Sequence, residues 1–143
     1  MSTLGAIGAT DYDAIVAVLQ DYLDGLYHSD TTLLRKAMHP RAIYACATSG
    51  ELVVLSMDEY FPIVDRRPSP ASHGHARQDR LLSIEFAGPV TALVRLECAI
   101  PPKRFMDFLT LLHVEGRWQI MSKVFHYHLM EESAASTDRV KAP

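Results

Sequence analysis

From Asp11 onward the apolar residues Ile15, Val18, Leu19, Tyr22 and Leu26 recur at intervals of three and four, which places them on one stripe of a helix. Thr10 or Asp11 can cap its start, because a side-chain oxygen there accepts from free backbone N–H groups. Asp21 and Asp24 fall off the stripe. His28-Ser29-Asp30 interrupts the pattern, and Asp30 can cap a second short helix, Thr31 to Met38. His39-Pro40 closes that helix, since a residue before proline avoids the helical region. Two short strands follow, Ala42 to Ala47 and Leu52 to Leu55, joined around Ser49-Gly50. Ser56 then opens a third helix, reaching about Asp65, with Glu59 completing a capping box and Pro62 shortening or distorting it. A polar loop covers Arg66 to Arg80. Beyond it the pattern is all strand: Leu82 to Phe86, Thr91 to Ile100, Arg104 to Val114 and Arg117 to Leu129. Helices first and a long antiparallel meander last predict an α+β domain with helices on one face of a curved sheet.

The last two strands flank Glu115-Gly116. A two-residue turn there pairs Val114 with Arg117 and His113 with Trp118. Continued without interruption, it sets Leu111 against Ile120, Asp107 against Val124 and Phe105 against His126. Directly opposed residues share a face. One face then carries Phe105, Asp107, Leu109, Leu111, Trp118, Ile120, Val124 and His126. The other carries Met106, Phe108, Leu112, Val114, Met121, Lys123, Phe125 and Tyr127. Both are largely apolar, whereas an antiparallel sheet with one wet face alternates cleanly. The helices cover one face. The other predicts a partner subunit packed sheet against sheet, that is, a homodimer through the outer sheet face.

Composition narrows the classes. The chain has 143 residues, 48% of them apolar and 22% charged, with a net charge of −3. This is an ordinary globular composition, sized for one domain over residues 1–130. The polar stretch from Glu131 to Pro143 reads as a fraying tail. Without an excess of Lys and Arg, nucleic-acid binding is not expected. No basic start leads into a signal-length apolar stretch, and no apolar run approaches the roughly 18 residues of a membrane span. A cytoplasmic protein with no membrane partner is the expectation. The two cysteines, Cys46 and Cys98, lie apart in strand-like segments and read as buried free thiols.

Tyr22-Leu-Asp-Gly-Leu-Tyr27, then Asp30, then Met38-His39-Pro40, resembles the opening of the nuclear transport factor 2-like superfamily. The run from Phe105 to His126 (FMDFLTLLHVEGRWQIMSKVFH) is similar to the C-terminal hairpin of its putative lumazine-binding family. The resemblance covers about Asp11 to Leu129. It implies a cone-shaped α+β fold, a cystatin-like roll, in which a bent antiparallel sheet wraps around the N-terminal helix. It also implies a pocket between helices and sheet, and commonly a homodimer. It leaves the chemistry open, because the superfamily holds isomerases, dehydratases, cyclases and members without activity.

Asp107 is the leading candidate for chemistry. It sits mid-strand on the face that looks into the cone, where a carboxylate needs a partner. Tyr22 points inward from the first helix. The two resemble the tyrosine and aspartic acid that form the oxyanion hole of ketosteroid isomerase. The position of that enzyme's base falls near Cys46, a poor substitute for a carboxylate. The competing reading is structural: Asp107 bonds Tyr22 or His39 and ties helix to sheet. His126 is a candidate acid or base near neutral pH. His39 and Tyr44 are further candidate ligand contacts. His73 and His75, like His126 and His128, are two apart, but neither pair has an evident third ligand, so no metal is expected. Arg66-Arg67 can meet an anion at the pocket mouth; solvated loop charges are the favoured reading. Lys123 and Tyr127 read as outer-face residues.

Together these features predict a domain that binds a small apolar or aromatic molecule, without cofactor, in a mostly apolar pocket. Tyr22, Asp107 and His126 would anchor the ligand, assisted by His39 and Tyr44. One alternative is a cofactor-free isomerase, dehydratase or cyclase, with Asp107, Tyr22 and His126 as catalytic residues. The other is a protein-interaction module.

Overall fold

The computed structural model describes residues 8–130, so the expected tail lies outside the described residues. Helix α1 covers Ala9–His28 and buries Ile15, Leu19, Tyr22 and Leu26, as its stripe predicts. It begins slightly earlier than expected. Gly8 is the capping residue, and the Asp11 carboxylate accepts its N–H at 3.3 Å, where negative charge suits the helix dipole. Ser29 ends the helix in the left-handed region, with φ 51°. Asp30 caps helix α2, Thr31–Ala37, by accepting from the N–H groups of Thr32 (2.9 Å) and Leu33 (3.3 Å). The two helices meet at Gly25, where an added Cβ would lie 2.7 Å from Leu34 Cδ2.

Strand β1, Met38–Cys46, starts before Pro40 rather than after it. Proline is tolerated because the pairing register is irregular between Met38 and Ile43, where no ladder N–H is needed. Strand β2 is Val53–Ser56. The capping box then opens helix α3, Met57–Arg66: Ser56 Oγ accepts the Glu59 N–H at 3.2 Å, and Glu59 Oε1 accepts the Ser56 N–H at 2.8 Å. The helix continues through Pro62 and buries Met57, Tyr60, Phe61 and Val64. A short 3₁₀ turn, Ala71–His73, interrupts the loop that follows.

Strands β3 (Arg80–Phe86), β4 (Thr91–Ile100), β5 (Lys103–Val114) and β6 (Arg117–Leu129) complete a six-stranded sheet in the order β2-β1-β6-β5-β4-β3. All neighbours are antiparallel except β1 and β6. This is an α+β arrangement: three helices against a curved, unclosed sheet, with the core between them. The buried face of α1 joins Val94, Leu96, Leu109, Leu111, Trp118 and Ile120 in one hydrophobic core. Cys46 and Cys98 are free and buried. Among the described residues no helix is long and apolar enough to cross a membrane.

The β5–β6 turn is as expected. Glu115 and Gly116 both have positive φ, 57° and 82°, the requirement of the tight turn whose twist matches a hairpin. Pairing runs from Val114–Arg117 to Leu111–Ile120 and then shifts: Thr110 faces Ser122, not Met121. Met121 is the extra residue of a β-bulge. From that point every side chain of β6 changes face relative to the uninterrupted register. Lys123 now faces Leu109, Phe125 faces Asp107 and Tyr127 faces Phe105, all on the inside. Val124 and His126 face Phe108 and Met106 on the outside. The expected placements of Lys123, Phe125 and Tyr127 on the outer face, and of Val124 and His126 on the inner face, are therefore corrected.

Candidate functional site

The inward turn of β6 beyond its bulge builds the most unusual feature of the protein. Lys123 is 2% exposed, and its Nζ is surrounded by rings from five elements. Tyr22 of α1, Tyr44 of β1, Tyr60 of α3, Phe105 of β5 and Phe125 of β6 have centroids between 5.0 and 5.9 Å from it. A desolvated ammonium is attracted to the faces of such rings. Its counter-charge is Asp107, fully buried on β5, whose Oδ2 lies 3.9 Å from Nζ. The same oxygen accepts a 2.5 Å hydrogen bond from the Tyr22 hydroxyl and faces Cys98 Sγ at 3.9 Å. Asp107 Oδ1 is buried without a hydrogen-bond partner among the described residues.

The electrostatics follow from burial and from this pairing. Burial alone would draw the Lys123 ammonium down, but the Asp107 carboxylate outweighs it and holds the group above the ordinary lysine value, so it stays charged. Burial pushes the Tyr22 phenol well above its ordinary range, and Asp107 adds to the shift. Burial also raises Cys98, again reinforced by Asp107, so it stays a thiol. Burial raises Tyr44, with the positive charge of Lys123 acting against the rise. Near neutral pH the Lys123 ammonium therefore sits beside Asp107 among neutral hydroxyl and thiol groups.

Beside this cluster lies a cavity of about 350 Å³. Tyr44, Phe105 and Phe125 belong both to its wall and to the ring of aromatics around Lys123. Tyr127, Cys46, Ile100, Val53 and Ser49 add to the wall, with Pro101-Pro102, Lys103 and Arg67. No acidic residue lines it. Its volume falls in the lower part of the range typical of small-molecule sites.

The sequence candidates separate into two groups. Tyr22 and Asp107 are brought together as a direct hydrogen-bonded pair, and Tyr44 lines the cavity. His126 is exposed and its Nδ1 lies 2.8 Å from Thr48 Oγ1, so it is not a pocket group. His39 is also apart from the cavity: its Nδ1 accepts the Arg41 N–H at 3.0 Å and its Nε2 is 3.9 Å from Glu115. Cys46 does line the cavity, and its Sγ accepts from the Thr48 N–H at 3.4 Å. His73 and His75 stack with centroids 5.9 Å apart, and among the described residues no three metal-ligating side chains converge.

Of the β6 residues that change face at the bulge, Lys123 alters the site most. The signal was present: large apolar residues on β6 occupy even positions at Trp118 and Ile120, then odd positions at Phe125 and Tyr127. On β5 the buried ones, Phe105, Leu109 and Leu111, stay odd. A change of parity in one strand but not in its partner requires an extra residue between.

This fold and hairpin agree with the comparisons. A family model described as "Putative lumazine-binding" matches residues 10–126. The chain belongs to that family, within the nuclear transport factor 2-like superfamily. A nuclear transport factor 2-like protein from Shewanella baltica, of unknown function, is 30% identical, with a TM-score of 0.75 over 87% of this chain and 98% of that one. One from Silicibacter pomeroyi is 24% identical, also with a TM-score of 0.75, over 84% and 98% of the two chains. Among curated proteins the chain is similar to an aldolase, FrzH, from a Cladobotryum species, at 29% identity over 84% of this chain and 94% of that protein.

Proposed function

We propose that the protein binds a small organic molecule in the cavity beside the Lys123–Asp107–Tyr22 cluster. The observation that carries this reading is the shared aromatic wall. Tyr44, Phe105 and Phe125 face a cavity and also sit within 5.6 Å of a buried ammonium. An apolar body stacks on the rings, and the cation beneath them favours electron-rich or anionic character in what lies above. Tyr44, whose phenol stays protonated, is the hydroxyl donor placed to orient a carbonyl oxygen. Native mass spectrometry of freshly purified protein, followed by denaturation of the same sample, tests it. The expected result is a released small molecule, or binding of added aromatic carbonyl compounds that Tyr44→Ala and Phe125→Ala both abolish. Binding unaffected by both substitutions would overturn the reading.

A second reading, that the site also does chemistry, rests on the similarity to the aldolase from Cladobotryum. Carbon–carbon bond formation between carbonyl compounds needs an enolate stabilised as it forms, and a fixed cation near a dry, aromatic-lined cavity supplies that field. Proton exchange at the α-carbon of small ketones, followed in deuterated water, is the measurement. Exchange that falls in Lys123→Met and Tyr44→Phe supports it; exchange no faster than in buffer refutes it.

The outer sheet face carries Phe108 and Val124, each 48% exposed, with Ile43 at 44% and Leu112 at 37%. We infer that a second copy covers this face. The inward placement of Lys123, Phe125 and Tyr127 makes the exposed patch smaller than the sequence implied, and these residues are not part of it.

A further inference from the structure

Cys46, Thr48 and His126 form a continuous hydrogen-bonded chain that starts on the cavity wall and ends in solvent. Cys46 is the last residue of β1 and alternates with Ala42 and Tyr44 on the inner face of the strand. It is 9% exposed, whereas Cys98 is 2% exposed and does not line this cavity. Cys46 Sγ lies 3.4 Å from Thr48 Oγ1. Thr48 Oγ1 lies 2.8 Å from His126 Nδ1. The bulge at Met121 puts His126 on the outer face, where it is exposed. The chain of bonds therefore passes around the end of β1 and links a cavity thiol to a titratable group on the other side of the sheet.

These contacts can be made in two ways. In both, Thr48 Oγ1 accepts the Tyr127 N–H at 3.4 Å and Cys46 Sγ accepts the Thr48 N–H at 3.4 Å. In the first, the Cys46 thiol donates to the Thr48 hydroxyl, which donates to Nδ1 of a neutral imidazole. In the second, the imidazolium Nδ1–H donates to the hydroxyl, which donates to a thiolate. One proton moves from Sγ to Oγ1 and another from Oγ1 to Nδ1, and no heavy atom has to shift. The thiolate is the nucleophilic form of cysteine, and a backbone N–H and a hydroxyl donating to it stabilise its charge. A thiol linked to a base that can take its proton is the arrangement covalent catalysis uses, here with a hydroxyl between the two.

The rest of the wall selects the electrophile. Tyr44 stands two residues before Cys46 on the same face, their Cα atoms roughly 7 Å apart. Unlike the hydroxyls of Tyr22 and Tyr27, that of Tyr44 donates to no protein group among the described residues. It is a free donor for a carbonyl oxygen. Phe105, Phe125 and Tyr127 offer apolar surface, and no acidic residue lines the cavity to protonate a leaving group. Conjugate addition suits such a wall, because it expels nothing.

We propose that Cys46 is a nucleophile that adds to the β-carbon of a conjugated enone held in the cavity, with His126 taking its proton through Thr48. The S–C bond forms as the carbon–carbon π pair moves toward the carbonyl oxygen, and the Tyr44 hydroxyl holds that oxygen as the enolate develops. Water then supplies a proton to the α-carbon and takes the one on His126. Overall S and H add across the double bond, and no oxidant or cofactor is consumed. This rests on the cavity being the binding site, as proposed above, and specifies the chemical class of its ligand.

The test compares benzylideneacetone, an aromatic enone, with its saturated analogue benzylacetone, using the full chain. NMR titration of the Tyr44, Phe125 and Tyr127 amides reports binding. Mass spectrometry over time reports the adduct, and borohydride reduction before digestion fixes it for mapping. The expected result is a single adduct on Cys46, formed at least about tenfold faster than the adduct of glutathione at the same pH. His126→Ala and Thr48→Val should each slow it at least about tenfold while benzylacetone binds as before. Thr48→Ser, which keeps the hydroxyl, should keep the rate, and the dispersion of each spectrum verifies folding. An adduct that forms no faster than with glutathione, that maps to Cys98, or whose rate is unchanged in both His126→Ala and Thr48→Val would overturn the proposal. Benzylacetone binding in the same samples would leave the cavity reading standing. Failure of both compounds to move the cavity amides at millimolar concentration, in a folded protein, would overturn both.

Discussion

Replacing Asp107 by Asn leaves the Lys123 ammonium buried with no counter-charge. At a separation of 3.9 Å the attraction between the two is about 4 kcal/mol with an effective dielectric constant of about 20. The Tyr22 hydrogen bond also loses its charged acceptor, although Asn retains a carbonyl for it. Breaking a buried pair by removing one partner costs about 3–5 kcal/mol, so Asp107→Asn should lose stability in that range. Lys123→Met should lose less, because the methionine fills the same aromatic surroundings and Tyr22 still donates to Asp107. The double variant Lys123→Met/Asp107→Asn should be more stable than Asp107→Asn alone, because it removes the stranded charge. Urea denaturation of the four proteins, read by circular dichroism and Trp118 fluorescence, gives the cycle. The pH dependence supplies a second check. The folded-state value of Lys123 is raised, so its stabilising contribution is complete below the unfolded value of 10.5 and is lost only as the pH rises through the higher folded value. The raised Tyr22 acts in the same direction above 10.0. Neither group should therefore change the wild type's stability between pH 6 and pH 9. Purely additive losses in the cycle would show that the two groups do not form the pair described.

Gly25→Ala should destabilise by about 1–3 kcal/mol in thermal melts, despite the better helix propensity of alanine, because its Cβ meets buried Leu34. Ser56→Ala should lose about 1 kcal/mol in the same assay, since the Glu59 N–H then has no acceptor at the start of α3. His126→Ala should leave binding of aromatic carbonyl compounds in the cavity unchanged, because the ring is exposed on the outer side of the sheet; weakened binding would contradict that placement. Phe108→Glu should yield a monomer in analytical ultracentrifugation if a second copy covers the outer face; a dimer that survives would refute that interface.

Much of this arrangement is legible in the chain. The stripe of α1, the Asp30 cap, the Ser56–Glu59 box and the Glu115-Gly116 turn are local features, and local chemistry determines them. The Tyr22–Asp107 pair was also readable, because both strand parity and helix spacing point those residues inward. The parity of β6 does not follow from the turn alone. Counting outward from Glu115-Gly116 gives the correct partner for four residues, after which Met121 displaces every later one. That single displacement sent His126 in and Lys123 out in the sequence reading, and so replaced the central cation of the site with a histidine. Arg67 was hidden for a different reason. A charged pair of residues before a proline-rich loop looks solvated, and only the packing around Nε and Nη2 distinguishes Arg67 from Arg66.

The bulge at Met121 also divides the labour of the last hairpin. On its turn side, Leu111, Trp118 and Ile120 belong to the core between sheet and helix; on its far side, Phe125 and Tyr127 line the cavity with Lys123 behind them. Substitutions beyond the bulge can reshape what the cavity accepts without disturbing the part of the strand that holds the domain together. A relative that lost or moved the extra residue would instead present a different set of side chains to the interior all at once. Family members can thus share a backbone and a stable core while diverging abruptly in the ligands they take, and strand length around this position is the feature by which to sort them.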